Sequence, residues 1–253
     1  MKIKYKLINA SLFIFILTSF FIPSYAVCSE PQKEKAAIPY EEEILMEINK
    51  DYAGATKVSD PFILINKAFF HFNDKFYYYV LQPAAKGYNY ILPDALQKGI
   101  DNFFNNLSAP VRFANCLLQG KFQKGAEELK GFVINSSLGF LGFFNPVKIQ
   151  KTSEEDFGQT LATYGVNNGF YLVLPFLGPT TARDIVGNAA DYLLHPFSYL
   201  EDAEVKMGIR GYEKLNHTSL DPEKYEKLMK SAIAPYELMK DGYLQMRAEK
   251  IKK

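Results

Sequence analysis

The stretch 62–81 carries Phe62, Phe69, Phe70, Phe72, Phe76, Tyr77, Tyr78 and Tyr79, and its polar residues return only every seven to eight positions. Asn66 and Lys67 come first, then Asn73, Asp74 and Lys75. That spacing is two turns of an α-helix, so the polar groups share one narrow stripe and the rest of the circumference is apolar. Asp60-Pro61 supplies a start, with an N-cap residue followed by proline at the first helical position. Gln82-Pro83 ends or kinks the helix, because proline has no N–H and restricts the residue before it. Such a helix has to cover its wide apolar face, either with other helices of the same chain or with lipid.

The rest of the chain repeats the pattern. Residues 93–105 place Leu96, Ile100, Phe103 and Phe104 at helical spacing, and Ser108 is positioned to cap a helix reaching residue 119. Residues 122–138 carry Ala126, Leu129, Phe132, Val133 and Leu138 as an apolar stripe. The glycine-punctuated apolar loop 139–146 and the polar loop 148–156 follow. A short helix is expected over 157–164, ended by Gly165, with a turn at Asn167-Asn168-Gly169. In 170–178, Pro175 argues against both a long helix and a central strand. Thr180 or Thr181 caps a helix running to residue 194, and charged helices fill 201–216 and 222–252. Runs of period-two alternation are few and no internal repeat is evident. The expected class is all-α, a single domain over 60–253.

The N-terminus is laid out for export. Lys2, Lys4 and Lys6 precede an apolar run over 7–22, then Pro23 and the small-residue site Ser24-Tyr25-Ala26. This is the order of a secretory signal peptide rather than a retained anchor, since the run is short for a bilayer span. Two processing routes stay open. Cleavage after residue 26 leaves Val27 first; cleavage after residue 27 makes Cys28 a lipidated first residue, although Tyr25 and Val27 depart from the usual lipoprotein box. Residues 27–59 read as a tether with a short acidic helix over 39–52. Without the three leading lysines the 29 basic and 28 acidic residues become 26 and 28. A nearly neutral chain lacks the footprint that binding a phosphate backbone requires, so nucleic acid is not an expected partner. Cys116, the only other cysteine, reads as a small buried apolar side chain.

Catalytic patterns are missing. His71, His195 and His217 stand apart with no HExxH or CxxC companion, so no metal is expected. Ser136 and Ser137 sit in no GxSxG elbow, and no spacing joins Ser136, His195 and Asp156 or Asp184 into the triad an envelope lipid hydrolase would need. Neither GxxxxGK[ST] nor GxGxxG occurs. The expectation is a protein without cofactor that is not an enzyme. After residue 28 no stretch reaches the roughly eighteen apolar residues of a spanning helix. A soluble core and a lipid interface both remain open for the aromatic faces, and a soluble periplasmic lipid or hydrophobic-ligand binder is the alternative function.

Several segments, in order, carry a resemblance: Asp60-Pro61-Phe62 with Asn66, Phe70-His71-Phe72-Asn73-Asp74, Gln82-Pro83-Ala84-Ala85, and Asn102-Phe103-Phe104-Asn105-Asn106-Leu107. Pro110-Val111, NCLLQG at 115–120, FVINSSLG at 132–139, DFGQT at 156–160 and YLVLPFLGPTT at 171–181 follow, then Arg183-Asp184 and a looser tail with Ala234-Pro235-Tyr236, Tyr243 and Arg247. Taken together they resemble the MlaA/VacJ family of outer-membrane proteins. The resemblance implies a single-domain ring of amphipathic helices lying in the inner leaflet of the outer membrane, with its apolar faces outward. It implies an amphipathic channel that takes mislocalised phospholipid from the outer leaflet to a periplasmic lipid carrier (MlaC-like) feeding an inner-membrane ABC transporter. A porin trimer is a further implied partner. On this reading Phe69, Phe72, Asn73, Phe103, Phe143 and Phe176 line the channel or face the membrane, Arg183 meets lipid phosphate, and Cys28 is the lipidation candidate.

Overall fold

The polar stripe of the first helix is used to hold a β-hairpin. The structure, a computed structural model, describes residues 58–147 and 154–252. The signal peptide, Cys28, the acidic helix 39–52 and most of the loop 148–156 lie outside the described residues. Helix α1 (Ile63–Phe76) packs along strand β1 (Tyr171–Leu174), which pairs antiparallel with β2 (Gly178–Thr181) through Tyr171 opposite Thr181 and Leu174 opposite Gly178. Among the described residues no third strand lies on the far edge of β1. Asn66 donates to the Tyr171 carbonyl (3.1 Å) and accepts from the Val173 N–H (2.9 Å). Two turns on, Asn73 donates to the Leu174 carbonyl (2.9 Å) and accepts from the Phe176 N–H (2.7 Å). Two side-chain amides thus stand in for a neighbouring strand and satisfy its open backbone groups. The hairpin is the part of the fold that differs from the all-helical expectation. Pro175 lies in its turn, where the missing N–H is harmless.

Neither end of α1 follows the simple expectation. Phe62, not Asp60, is its N-cap. The Asp60 carboxylate instead accepts from Asn66 (2.7 Å) and from the Tyr236 hydroxyl (2.6 Å). At the other end the chain neither stops nor breaks at Pro83. A π-helical turn, Tyr77–Leu81, joins α1 to α2 (Gln82–Ile91), with the Gln82 N–H reaching back to the Tyr77 carbonyl. Proline removes one helical hydrogen bond and crowds the carbonyl four residues earlier; a wider turn just before it relieves both.

Helices α3 (Asp94–Leu107), α4 (Ala109–Leu118) and α5 (Phe122–Ser137) follow, with α5 packed on α4. Ser108 does not cap α4; its hydroxyl donates to the Phe104 carbonyl (3.2 Å). Helix α6 (Phe157–Thr163) crosses α7 (Ala182–Leu194) at two glycines, where a Cβ on Gly187 would lie 2.4 Å from the Gly158 nitrogen. Asp156 and Thr181 cap these helices, accepting from the N–H groups of Gln159 and Asp184. A 3-10 turn, Pro196–Tyr199, leads to α8 (Ala203–Ser219), which lies across α2 and α3. Helix α9 (Lys224–Lys230) and helix α10 (Pro235–Lys252) close the chain, α10 packing on α6 and β2. The described residues belong to one compact unit, Gly54–Lys253.

The distribution of polarity is inverted. Among the described residues the core cluster is small: Phe70, Tyr171, Val173, Met229 and Tyr236, with Phe69, Tyr225, Met239 and Tyr243 against it. The other large, fully buried side chains are mostly polar, including Gln97, Glu128, Asn115, Asn135, Gln159 and Asn216. Helix α5 shows the inversion most clearly. It buries Gly125, Glu128, Gly131 and Asn135, while Leu129, Val133 and the adjoining Leu138, expected to form its core stripe, are exposed. Cys116 is fully buried, and burial pushes its thiol up to about 11.

Replacing Asn66 with Leu keeps the volume but orphans the Tyr171 carbonyl and the Val173 N–H. Each buried orphan costs about 1–3 kcal/mol, so a loss of about 2–5 kcal/mol is expected. Urea unfolding in detergent measures it, and an unchanged midpoint would refute the strand-substitute role.

Candidate functional site

A cavity of about 670 Å³ lies between α3, α4, α7, α8 and α10, bordered also by residues 154–156 and the end of the hairpin. Its walls come from polar stripes at helical spacing. Helix α7 contributes Asp184, Asn188, Asp191 and His195; α8 contributes Arg210, Glu213 and His217. Helix α4 turns Ser108, at its N-cap, and Arg112 inward, and α10 adds Tyr243, Met246, Arg247 and Lys250. Apolar wall comes from Phe104, Val111, Leu174 and Leu177.

Arg247 is the electrostatic centre. Its guanidinium grips both oxygens of Asp156 (2.5 and 3.0 Å) and reaches Asp184 (2.6 Å), which also accepts from the Tyr243 hydroxyl (2.7 Å). Burial alone would raise Asp156, but the hydrogen bonds and charge of Arg247 outweigh it and hold the carboxyl below its ordinary value. This one side chain ties α10 to the starts of α6 and α7. Across the cavity Arg112 pairs with Glu128 (2.9 Å) and donates to the Asn105 carbonyl (2.9 Å). Asp191 accepts from Asn115 (2.7 Å) and from the Phe157 N–H (2.9 Å), and burial pushes its carboxyl up. Burial also raises Glu213.

Burial and the charge of Arg210 lower His195. Its Nδ1 accepts from the Phe197 N–H (3.3 Å), so the ring proton sits on Nε2, 3.4 Å from the Ser108 hydroxyl. That is the reverse of a nucleophile facing a base. Ser136 is elsewhere, accepting from Asn106 (2.9 Å), so Ser136, His195 and the two aspartates are not brought together. Among the described residues no His, Cys, Asp and Glu cluster could hold a metal.

Among the described residues, those nominated from sequence as lining a channel or facing the membrane do not border this cavity. Phe69 is half-buried against the core cluster. Phe72 and Phe176 meet edge to face (5.1 Å) with Phe76 beside them, on the outside. Asn73 holds the hairpin. Phe103 packs edge-on against Phe104 (5.5 Å), and it is Phe104 that reaches the cavity. Phe143 lies over Gly99, where a Cβ would come within 2.3 Å of its ring. Arg183 is buried, paired with Asp184 (3.3 Å) and close to the Val166 carbonyl (3.4 Å). The signal that marks the cavity was the polar stripe at 184, 188, 191 and 195.

Many large apolar side chains lie on the outer surface. Leu64 is 82% exposed, and Tyr90, Ile91, Phe122, Leu177 and Leu193 are open as well. Leu138, Phe140, Leu141 and Phe144 project from the loop after α5. That loop is held by its backbone and by buried amides beneath it. Phe140 and Leu141 take positive φ (52° and 58°), and Asn106 donates to the Leu141 carbonyl (3.2 Å). Among the described residues no helix is long and apolar enough to cross a membrane.

Residues 58–250 match the family model described as MlaA lipoprotein. The chain is 31% identical over 209 residues to the intermembrane phospholipid transport system lipoprotein MlaA of Haemophilus influenzae, covering 78% of this chain and 81% of that one. It is 32% identical over 196 residues to the Escherichia coli K12 protein of the same name, covering 74% and 76%. An uncharacterized protein of Rickettsia felis is 34% identical over 186 residues, covering 72% and 74%. A solved structure described as "Structural basis for maintenance of bacterial outer membrane lipid asymmetry" is similar with a TM-score of 0.65 and 28% identity, covering 77% of this chain and 100% of that one.

Arg247→Met removes the cation that two buried carboxylates share, and an expected loss of about 3–5 kcal/mol follows at neutral pH. Because Asp156 is held low in the fold, its contribution is present above the unfolded carboxyl value of about 3.9 and is lost as pH falls through the lower folded value. The gap between wild type and variant should therefore narrow from pH 7 to pH 3 in thermal unfolding. A constant gap would contradict the assignment.

Proposed function

The chain belongs to the MlaA lipoprotein family, and from that premise we propose that it moves mislocalised phospholipid from the outer leaflet of the outer membrane toward the periplasm. The observation that carries this reading is the inversion of polarity: charged and amide side chains inside, large apolar side chains outside. Moving a charged or zwitterionic head group through hydrocarbon is costly unless polar groups satisfy it on the way. The cavity supplies such groups. Its volume, about 670 Å³, lies in the range that takes one drug-sized molecule, so it holds a head group but not two acyl chains as well. The tails then remain in lipid or between the helices.

On this reading the protein lies in the periplasmic leaflet of the outer membrane, with Leu64, Phe72, Phe140, Phe144 and Phe176 in contact with acyl chains. Lipidation at Cys28 would add an anchor. A porin trimer beside it and a periplasmic lipid carrier (MlaC-like), feeding an inner-membrane ABC transporter, complete the route. No step in this chain's own residues consumes energy, so net direction comes from those partners. Apolar surface on this scale favours embedding over a soluble ligand binder.

Deleting the gene should raise phospholipid exposed at the cell surface, measured by head-group labelling of intact cells, and a wild-type copy should reverse the rise. No rise in a strain without a second such system would sink the transport reading. For the embedding, Leu64→Asp is the informative variant. Leu64 is already exposed, so the fold should survive while the outer-membrane fraction falls; Phe69 packs on the core and would confound the two effects. Unchanged fractionation after salt washing would count against lipid contact at α1.

A further inference from the structure

The cavity wall carries a buried guanidinium with one unpartnered nitrogen and, on a neighbouring helix, a carboxylate held by neutral donors. Arg112 is 94% buried by its 6% relative exposure, and two of its nitrogens are engaged by Glu128 and Asn105. Its third, Nη2, has no hydrogen-bond partner, although it is buried and the side chain lines the cavity. A guanidinium donor left unanswered in a low-dielectric site is costly, and it favours any acceptor that can enter. One turn along the same face of α4, Asn115 holds Asp191 (2.7 Å) at the cavity wall. The two hydrogen bonds to Asp191 come from neutral donors, and no cation lies within ion-pair distance of it among the described residues. Arg247, the nearest strong cation, is already shared between Asp156 and Asp184. Burial raises the Asp191 carboxyl even though its two hydrogen bonds and the charge of Arg247 oppose the rise.

The wall as a whole leans the same way. Carboxylates come from Asp101, Glu154, Glu155, Asp156, Asp184, Asp191 and Glu213, against Arg112, Arg210, Arg247 and Lys250. An anionic head group would add to that excess, and a zwitterion would not.

We propose that the face of α4 bearing Arg112 and Asn115 is a head-group subsite for zwitterionic phospholipid with a primary ammonium, Arg112 Nη2 taking the phosphate and Asp191 the ammonium. Arg112 and Asn115 are neighbours three apart on α4, and Asn115 holds Asp191 at the same cavity wall (2.7 Å), so cation and carboxylate border one space, as the two charges of a phosphoethanolamine head require. Arg112 supplies a planar donor for phosphate, and Asp191 is fixed in place by its two hydrogen bonds before ligand arrives. The subsite rests on the lipid-transport reading and gives it a head-group preference.

The test is calorimetric titration of the full-length protein in non-ionic detergent with dihexanoyl phosphatidylethanolamine, dihexanoyl phosphatidylglycerol and free phosphoethanolamine. The wild type should bind the ethanolamine lipid about tenfold tighter than the glycerol lipid. Asp191→Asn, checked for fold by circular dichroism, should erase that preference while leaving the glycerol lipid nearly unaffected. The double change Arg112→Gln with Glu128→Gln, which removes both members of the buried pair and is checked for fold in the same way, should weaken both lipids alike. Equal binding of the two lipids by the wild type, or a preference that survives in folded Asp191→Asn, overturns the subsite and leaves lipid transport standing. Failure of either lipid to bind overturns both. Free phosphoethanolamine binding as tightly as the lipid would reassign the subsite to a soluble ligand.

Discussion

Buried side-chain amides bonded to backbone groups of distant elements hold this fold together. Asn66 and Asn73 finish the edge of β1, Gln97 and Asn216 join α3 to α8, and Asn135 takes both the N–H and the carbonyl of Val147. Asn106 fastens the apolar loop to α3. A soluble domain of this length would leave most of that task to apolar packing. Here the apolar faces look outward, so little apolar area is available inside, and the interior contacts must be specific. An amide that donates and accepts at once suits this, because it can satisfy two backbone groups and fixes the register between elements. The cost is sensitivity: remove one amide and two partners are stranded in a low dielectric.

The same inversion explains why the cavity can be polar without unfolding its walls. Polar stripes that face a cavity must be organised by partners on neighbouring helices, and Arg247 does this for three of them. It faces Asp156 at the N-cap of α6 and Asp184 in the first turn of α7, positions where negative charge already suits the helix dipoles. The crossing of α6 and α7 at Gly158 and Gly187 brings those two carboxylates close enough to share one guanidinium. A side chain at either glycine would part the helices and with them the two acids. Asp191, farther along α7, lies outside this ion-pair arrangement and is held instead by Asn115 and the Phe157 N–H.

Much of the helical scaffold was legible in sequence, because periodicity and caps are local. The helices over 93–105 and 157–164, the Thr181 cap and the stops at Gly165 and Pro196 correspond to the observed elements within a few residues. What failed were inferences that depend on a partner far along the chain. The hairpin was missed since Pro175 weakens its strand signal, and since β1 is completed by side chains more than a hundred positions away. Asp60 has the chemistry of a cap, yet Tyr236 competes for it. On pattern alone the apolar stripe of α5 reads as core; period cannot say which side of a helix meets the protein when both sides are continuous. The resemblance supplied the outward direction that the pattern lacked. The cavity wall is assembled from inward polar stripes on helices far apart in sequence, which no single motif marks.

The inversion also bears on how a lipid could pass without a spanning helix or a wide pore. A cavity of about 670 Å³ is too small to hide a whole phospholipid, and many large apolar side chains lie on the outside. Separating the two ends of the lipid resolves the mismatch. On the proposed reading the head group, whose desolvation sets the barrier, would meet Arg112, Asp191 and their neighbours, while the tails would stay in an apolar surrounding. The work asked of the protein is then modest, since it needs only to replace the hydration of one small zwitterion. Tight binding would defeat this purpose, because a head group held strongly would not move on. Partners shared between ligand and protein, such as Asp191 with Asn115 and Phe157, keep each contact replaceable and the site readily vacated.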